Sequence, residues 1–294
     1  MSNNQQYVGR FAPTPSGPLH FGSIVAALAS FLQARKQKGK WLLRIDDLDT
    51  PRVQVGATDK IFITLETLHM EWDGDVVYQS NRIEEYESAL DLLGEKVCIF
   101  RCKCPRKLIK NIAYPGTCRN LKIPNSVHSS LRILTDNKAV RFNDGIQGDY
   151  VQNILHHSGD FIVCRSDNII AYNLAAAIDD TSQSISHVVR GADLIDTTPK
   201  QIYIQSLLDL HTPHYEHVPV ATTPNGKKLS KQHGASDVLI DRNPLSVMVD
   251  VLDFLGHPVE TGLENSDVNT VMSWALENWD ITRVPRLESI QINK

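Results

Sequence analysis

The chain has 294 residues, 41% hydrophobic and 22% charged, with a formal net charge of −4. These proportions are those of ordinary globular proteins and exclude a disordered or fibrous chain; the length suits two domains, or one domain with a large insertion. The start Met1-Ser2-Asn3-Asn4-Gln5-Gln6 carries no secretory pattern and no apolar run nears the ~18 residues of a membrane span, so a cytoplasmic protein with no membrane partner is expected. Five cysteines, three of them between 102 and 118, point to metal or thiol chemistry in a reducing compartment rather than to disulfides.

Tyr7 to Phe11 reads as a strand, followed by a Pro/Gly/Ser-rich turn through Pro18. Ile24, Ala27, Leu28, Phe31 and Leu32 then recur at amphipathic-helix spacing, with Ser23 as the expected N-cap. Trp41 to Ile45 is the next strand, completing a βαβ unit with its loop at a helix N-terminus. Residues 53 to 73 and 81 to 94 read as helices, and Val97 to Phe100 as a strand. Between about 101 and 187 the pattern shifts to short strands, Ala139 to Phe142 and Phe161 to Arg165 among them, separated by Gly, Asn and Asp. From Val188 strands and helices alternate again. Beyond Asn243-Pro244 two apolar stripes, one through Val247, Val251 and Leu255 and one through Val268, Met272 and Trp279, predict helices.

The turn Pro13-Thr14-Pro15-Ser16-Gly17-Pro18-Leu19-His20-Phe21-Gly22-Ser23 lies where a strand gives way to a helix. Unpaired backbone N–H groups and the helix dipole favour an anion there, and His20 can donate to a phosphate oxygen; a Pro/Gly turn with a satisfied histidine fits the same residues. More than 200 residues later, Gly226-Lys227-Lys228-Leu229-Ser230-Lys231-Gln232 has the glycine, hydroxyl and lysines of a loop that closes over a polyphosphate, or of a solvated basic turn. Neither string is a Walker A loop or a GxGxxG. Cys102, Cys104 and Cys118 suit a closed zinc site, with His128 as the fourth ligand on bare chemistry; unliganded buried thiols are the alternative. Cys98 and Cys164, in apolar runs, are expected in the core. Around the three cysteines, Arg101, Lys103, Arg106, Lys107, Lys110, Arg119 and Lys122 put seven basic residues in 22 positions with no acidic one, suited to a phosphate backbone or to a solvated loop.

Taken together, His20-Phe21-Gly22-Ser23 and Lys228-Leu229-Ser230-Lys231-Gln232 resemble the HIGH and KMSKS signatures of class I aminoacyl-tRNA synthetases. With Arg10-Phe11-Ala12-Pro13-Thr14, Leu43-Arg44-Ile45-Asp46-Asp47-Leu48-Asp49, Ala171-Tyr172-Asn173-Leu174-Ala175 and Val189-Arg190-Gly191-Ala192-Asp193-Leu194 they look like the core of glutamyl-tRNA synthetases, over roughly residues 7 to 255. The chain ends where those enzymes continue into an anticodon-binding region. Together with the Cys-x-Cys and Tyr-x-x-x-Cys pattern, this resembles the glutamyl-queuosine tRNA(Asp) synthetase family.

That resemblance implies an α/β fold: a Rossmann-like parallel nucleotide-binding core (1–100 and 188–240), an inserted zinc-containing acceptor-type domain (101–187) and a small C-terminal helical region (241–294). It implies ATP-dependent activation of L-glutamate as an adenylate and transfer to the cyclopentenediol of queuosine in tRNA(Asp), by a monomer. His20, Lys228 and Lys231 would be catalytic; His20, Gly22, Ser23 and Lys231 would hold ATP with its Mg²⁺. Arg10, Phe11, Ala12, Pro13, Thr14, Asp46, Tyr172 and Arg190 would hold glutamate. Tyr114 would join Cys102, Cys104 and Cys118 on a structural zinc. The chain departs from the family in having Asp46 where Glu is usual, one methylene shorter, and Gln232 where serine is usual. Rival functions are a conventional glutamyl-tRNA synthetase without an anticodon domain, a zinc-dependent RNA-binding protein with an inactive nucleotide fold, and a nucleotidyltransferase that does not act on RNA.

Overall fold

The computed structural model describes residues 6–105, 107, 109, 113–225, 238–239 and 242–292. The first half runs β1 (Val8–Phe11), α1 (Phe21–Lys36), β2 (Lys40–Ile45), α2 (Ala57–Thr67), β3 (Val77–Tyr78), α3 (Ile83–Glu95) and β4 (Ile99–Cys102). It continues with β5 (Ser130–Ile133), β6 (Ala139–Asp144), β7 (Gly148–Asn153), α4 (Ile154–His157), β8 (Ile162–Cys164) and α5 (Tyr172–Ser182). The last third is β9 (His187–Gly191), α6 (Thr198–Leu207), β10 (His214–Val218), β11 (Val220–Thr222), α7 (Pro244–Phe254), α8 (Val268–Asn278) and β12 (Ser289–Gln291).

Strand β1 pairs in parallel with β2, and β2 with β3. In the second half β10 pairs in parallel with β9 and with β6. The two sheets meet where Val8 O accepts the Ser186 N–H at 2.9 Å and Ser186 Oγ accepts the Val8 N–H at 2.8 Å, which sets β9 beside β1. The parallel order is therefore β3-β2-β1-β9-β10-β6, a doubly wound arrangement whose two halves meet between β1 and β9. Ligands of such sheets bind outside the strand C-termini at that junction, here beyond Phe11 and Gly191.

Helix α1 was expected to bury one stripe. It buries Phe21, Ile24, Val25 and every residue from Ala27 to Ala34, because the sheet covers one side and α7 and α8 cover the other. The 241–294 region thus belongs to the same core as the nucleotide fold, and it is not all helix: β12 returns to pair in parallel with β11, Val220↔Ser289 to Thr222↔Gln291. Buried Trp279 donates its indole N–H to Gln33 Oε1 of α1 at 2.9 Å and stacks on His257, ring centroids 4.5 Å apart.

The 101–187 segment is likewise not closed on itself. Strands β4, β5 and β8 form a separate antiparallel sheet, whereas the β6–β7 hairpin joins the edge of the catalytic sheet through Tyr215↔Asp144. Replacing Trp279 with alanine removes a buried ring that pins α8 to α1, so urea unfolding is expected to show a loss of about 3–5 kcal/mol. A loss below about 1 kcal/mol would mean that the C-terminal helices are not part of the cooperative core.

Candidate active site

A crevice of about 490 Å³ opens at the junction between β1 and β9. Its wall carries Arg10, Phe11, Ala12, Pro13 and Thr14 from the end of β1, His20, Gly22 and Ser23 from the start of α1, Tyr172 from α5 and Arg190 from β9. Asp46 lies instead in an adjoining cavity of about 260 Å³ that shares Thr14, Arg52 and Tyr172 with the crevice. Lys228 and Lys231 fall outside the described residues.

At the mouth of α1 the cap is His20 rather than the expected Ser23. The helix begins at Phe21, and His20 Nδ1 accepts the Ser23 N–H at 3.3 Å. An acceptor Nδ1 leaves the proton of a neutral ring on Nε2, so the imidazole meets the crevice as a donor, beside a helix N-terminus that favours anions. A Cβ on residue 22 would stand 3.3 Å from His20 Cε1 and 3.4 Å from Nδ1, so glycine there lets the ring seat as a cap.

Arg190 is buried, and among the described residues its guanidinium donates to neutral groups alone. It reaches His217 Nε2 at 3.1 Å, Tyr172 Oη at 3.1 Å, Gln201 Oε1 at 3.0 Å and Thr198 Oγ1 at 2.8 Å. Because arginine can only donate, His217 Nε2 must be the acceptor, and its proton sits on Nδ1, 2.5 Å from Asp144 Oδ2. Burial lowers the His217 pKa to about 4 despite that carboxylate, so the ring is neutral at physiological pH. Among the described residues no carboxylate pairs with Arg190. Its positive charge is held in place without being neutralised.

The opposite holds one layer away. Arg44 donates to Asp46 Oδ1 and to Asp180 Oδ1, each at 2.8 Å, and Arg10 Nε reaches Asp180 Oδ1 at 3.2 Å, all buried. Burial alone would raise the Asp180 carboxyl, but the Arg10 and Arg44 guanidiniums hold it below the usual carboxylate range. Asp46 goes the other way: desolvation outweighs Arg44 and pushes it up to about 6. Next along α5, Asp179 accepts from Tyr86 Oη at 2.9 Å, Arg82 Nε at 2.8 Å and Gln79 Nε2 at 2.7 Å. Helix α5 is in this way tied by adjacent carboxylates to both parts of the first half of the chain.

Sequence reasoning did not identify Asp180, Asp144, His217, Gln201 or Thr198, and gave Arg44 no separate role. The acidic pair Asp179-Asp180 in a helix otherwise rich in alanine was the one local signal available.

The three thiols of Cys102, Cys104 and Cys118 lie within 4.8 Å of one another. Tyr114 Oη stands 3.3 Å from Cys102 Sγ and 3.9 Å from Cys104 Sγ, and its ring is capped by Arg132 at 4.0 Å. His128 is exposed and outside this group. Of the basic stretch, Arg119 is taken up by the buried Asp160, at 2.6 and 2.5 Å, and so serves the fold; Arg106 and Lys110 lie outside the described residues.

Comparison with known proteins gives the family. The family of tRNA synthetases class I (E and Q), catalytic domain, matches residues 6–261. A glutamyl-Q tRNA(Asp) synthetase of Pseudomonas fluorescens is 42% identical, covering 98% of this chain and 97% of its own, and one of Thiobacillus denitrificans is 45% identical, covering 95% of each. A glutamate-tRNA synthetase structure from Elizabethkingia anophelis superimposes with a TM-score of 0.83 at 20% identity, over 98% of this chain and 68% of that one, a likeness of fold. The chain belongs to the glutamyl-Q tRNA(Asp) synthetase family, within the class I (E and Q) tRNA synthetases.

Proposed function

We propose that this enzyme activates L-glutamate with ATP and transfers it to the queuosine base of tRNA(Asp). The observation that carries the glutamate reading is the buried, un-neutralised Arg190 on the wall of a crevice whose other side is a helix N-terminus capped by His20. The first suits a substrate carboxylate, the second a phosphate. The queuosine acceptor is favoured over a conventional synthetase, and over an inactive RNA-binding fold, because relatives at 42% and 45% identity across nearly the whole chain are glutamyl-Q tRNA(Asp) synthetases.

In the first step an oxygen of the α-carboxylate bonds to the α-phosphorus as the bond to pyrophosphate breaks, and pyrophosphate leaves with the electron pair. The nucleophile is already ionised, so positioning and charge stabilisation carry the rate. Arg190 with Tyr172 holds the side-chain carboxylate, Asp46 takes the ammonium and His20 Nε2–H donates to phosphate. Lys231 with Lys228 is assigned to the departing phosphates, and Mg²⁺ enters bound to ATP as part of the substrate. In the second step an acceptor hydroxyl oxygen bonds to the acyl carbon, AMP leaves with the electron pair of the broken acyl–oxygen bond, and the hydroxyl proton passes to the departing phosphate.

Three clustered thiols and a phenol suit zinc, and Cys102, Cys104, Cys118 and Tyr114 would hold it as a closed structural site. Held by these four residues, the ion would tie Cys102 at the end of β4 to Tyr114 and Cys118 and would supply no group to the chemistry. Native protein is expected to contain about one equivalent of zinc, and Cys118→Ser to lose it together with thermal stability. Metal analysis that finds none in protein purified without chelators would remove this assignment.

Glutamate-dependent ATP–pyrophosphate exchange tests activation. Arg190→Lys keeps a charge but loses the fork, and kcat/KM for glutamate is expected to fall about 10²–10³-fold. Exchange that survives unchanged in this variant would refute the assigned pocket. The pH profile tests Asp46. Its folded pKa of about 6 lies above the ordinary value of 3.8, so the free fold binds this proton more tightly than the unfolded chain does and loses stability as pH rises through that window. The ionised form is the one that pairs with ammonium. Thus kcat/KM is expected to be flat above about pH 6 and to fall about tenfold per unit below it, whereas Asp46→Asn should be low and lack that limb.

A further inference from the structure

The smaller cavity holds more than Asp46: Leu48, Asp49, Arg165 and three isoleucines on its walls have no part in the activation chemistry. One side is apolar, formed by Ile162 of β8 and by Ile169 and Ile170 of the hairpin that follows it. That hairpin is fixed by backbone bonds Arg165 N–H to Ile169 O at 2.8 Å and Ala171 N–H to Val163 O at 2.9 Å, with Asn168 at φ +64° making the turn. Facing it, the loop after β2 is pinned by Asp46 N–H to Pro13 O at 3.0 Å and by the Asp47 carboxylate on Ser80, N–H at 2.8 Å and Oγ at 2.7 Å. Between the two stands an ion pair: Arg165 Nη1 to Asp49 Oδ1 at 3.1 Å. Arg52 Nε holds the other Asp49 oxygen at 2.6 Å, and Asp167 holds Arg165 Nη2 at 2.6 Å, so each member has a second partner fixing its plane.

This pair is only partly covered, with Asp49 24% and Arg165 32% exposed. It lines a cavity that adjoins the crevice at Thr14, Arg52 and Tyr172, the residues common to both. Anything seated in it lies against the assigned glutamate pocket. An apolar wall opposite a carboxylate and a guanidinium suits a small hydrocarbon ring with adjacent hydroxyls: the ring face lies on the isoleucines, one hydroxyl donates to Asp49, and another accepts from Arg165.

We infer that this cavity receives the cis-diol of the acceptor, with Asp49 and Arg165 as the pair that orients the attacking hydroxyl. The inference rests on the queuosine reading above, and deepens it by assigning the residues that read the acceptor ring. Five-membered cis-diols occur both in the cyclopentenediol of queuosine and in the ribose at a tRNA 3′ end; the isoleucine wall favours the carbocycle, which has no ring oxygen to leave unsatisfied.

The test separates the two half-reactions. Asp49→Asn and Arg165→Lys, whose side chains are partly exposed, are checked for native thermal unfolding. Each is then assayed for glutamate-dependent pyrophosphate exchange without tRNA and for glutamate transfer to queuosine-containing tRNA(Asp). Exchange is expected to stay within about twofold of wild type, while kcat/KM for transfer falls about 10–100-fold, the loss of one or two hydrogen bonds to a charged group. Added cis-cyclopentanediol should inhibit wild-type transfer but not exchange, and the trans isomer should do neither. Unchanged transfer in both variants, or equal losses in exchange and transfer, would overturn the assignment. So would wild-type transfer to queuosine-free tRNA that is lost when the 3′-terminal adenosine is removed. Absence of exchange in the wild type would instead refute the activation reading, and this inference with it.

Discussion

The site depends on a guanidinium kept charged but not paired. Burying Arg190 without a carboxylate partner is costly, since neutral acceptors offset only part of the lost hydration. The fold bears that cost through His217, Gln201, Thr198 and Tyr172, which satisfy the geometry of the fork and leave its charge unspent. Asp144 contributes at one remove, by fixing His217 in the tautomer that accepts from Arg190. Were Asp144 to contact the guanidinium directly, the charge would be consumed as Arg44 is consumed by Asp46 and Asp180.

That contrast organises the molecule. Arg44 and Arg10 on neighbouring strands meet Asp180, and Asp179 gathers Tyr86, Arg82 and Gln79, so α5 holds the first half of the chain by paired charges. Once β1 and β9 are side by side, the doubly wound order leaves the crevice at their C-termini. Asp179, Asp180 and Arg44 form scaffold, Arg190 keeps its charge for the site, and Arg10 and Asp46, each in an ion pair and on a cavity wall, join the two. β12 closes this frame by pairing with β11, whose Val220 and Ala221 also line the crevice.

How much of this was legible depended on sequence distance. The β1–α1–β2 unit was readable because each piece carries a local period, and the crevice residues of β1, α1, α5 and β9 were readable because their motifs resemble a known core. Pairings across the chain were not. Asp180 lies 170 residues from Arg10 and 136 from Arg44, and no local pattern says which buried carboxylate meets which arginine. Nor does one say that the β6–β7 hairpin leaves its neighbours to join the catalytic sheet, or that a strand follows the last two helices. Ser23 is the expected cap because hydroxyls are the common choice; an imidazole takes the position because the helix starts at Phe21, two residues earlier, with His20 the last extended residue before it.

The central claim is that a class I catalytic core delivers glutamate to an anticodon base. The most direct measurement is mass spectrometry of nuclease-digested tRNA(Asp) after incubation with the enzyme, ATP and isotopically labelled glutamate. The label is expected on the queuosine nucleoside, with the 3′-terminal adenosine unlabelled and no label in tRNA(Asp) lacking queuosine. Label on the 3′-terminal adenosine would contradict that claim and make the enzyme a conventional synthetase.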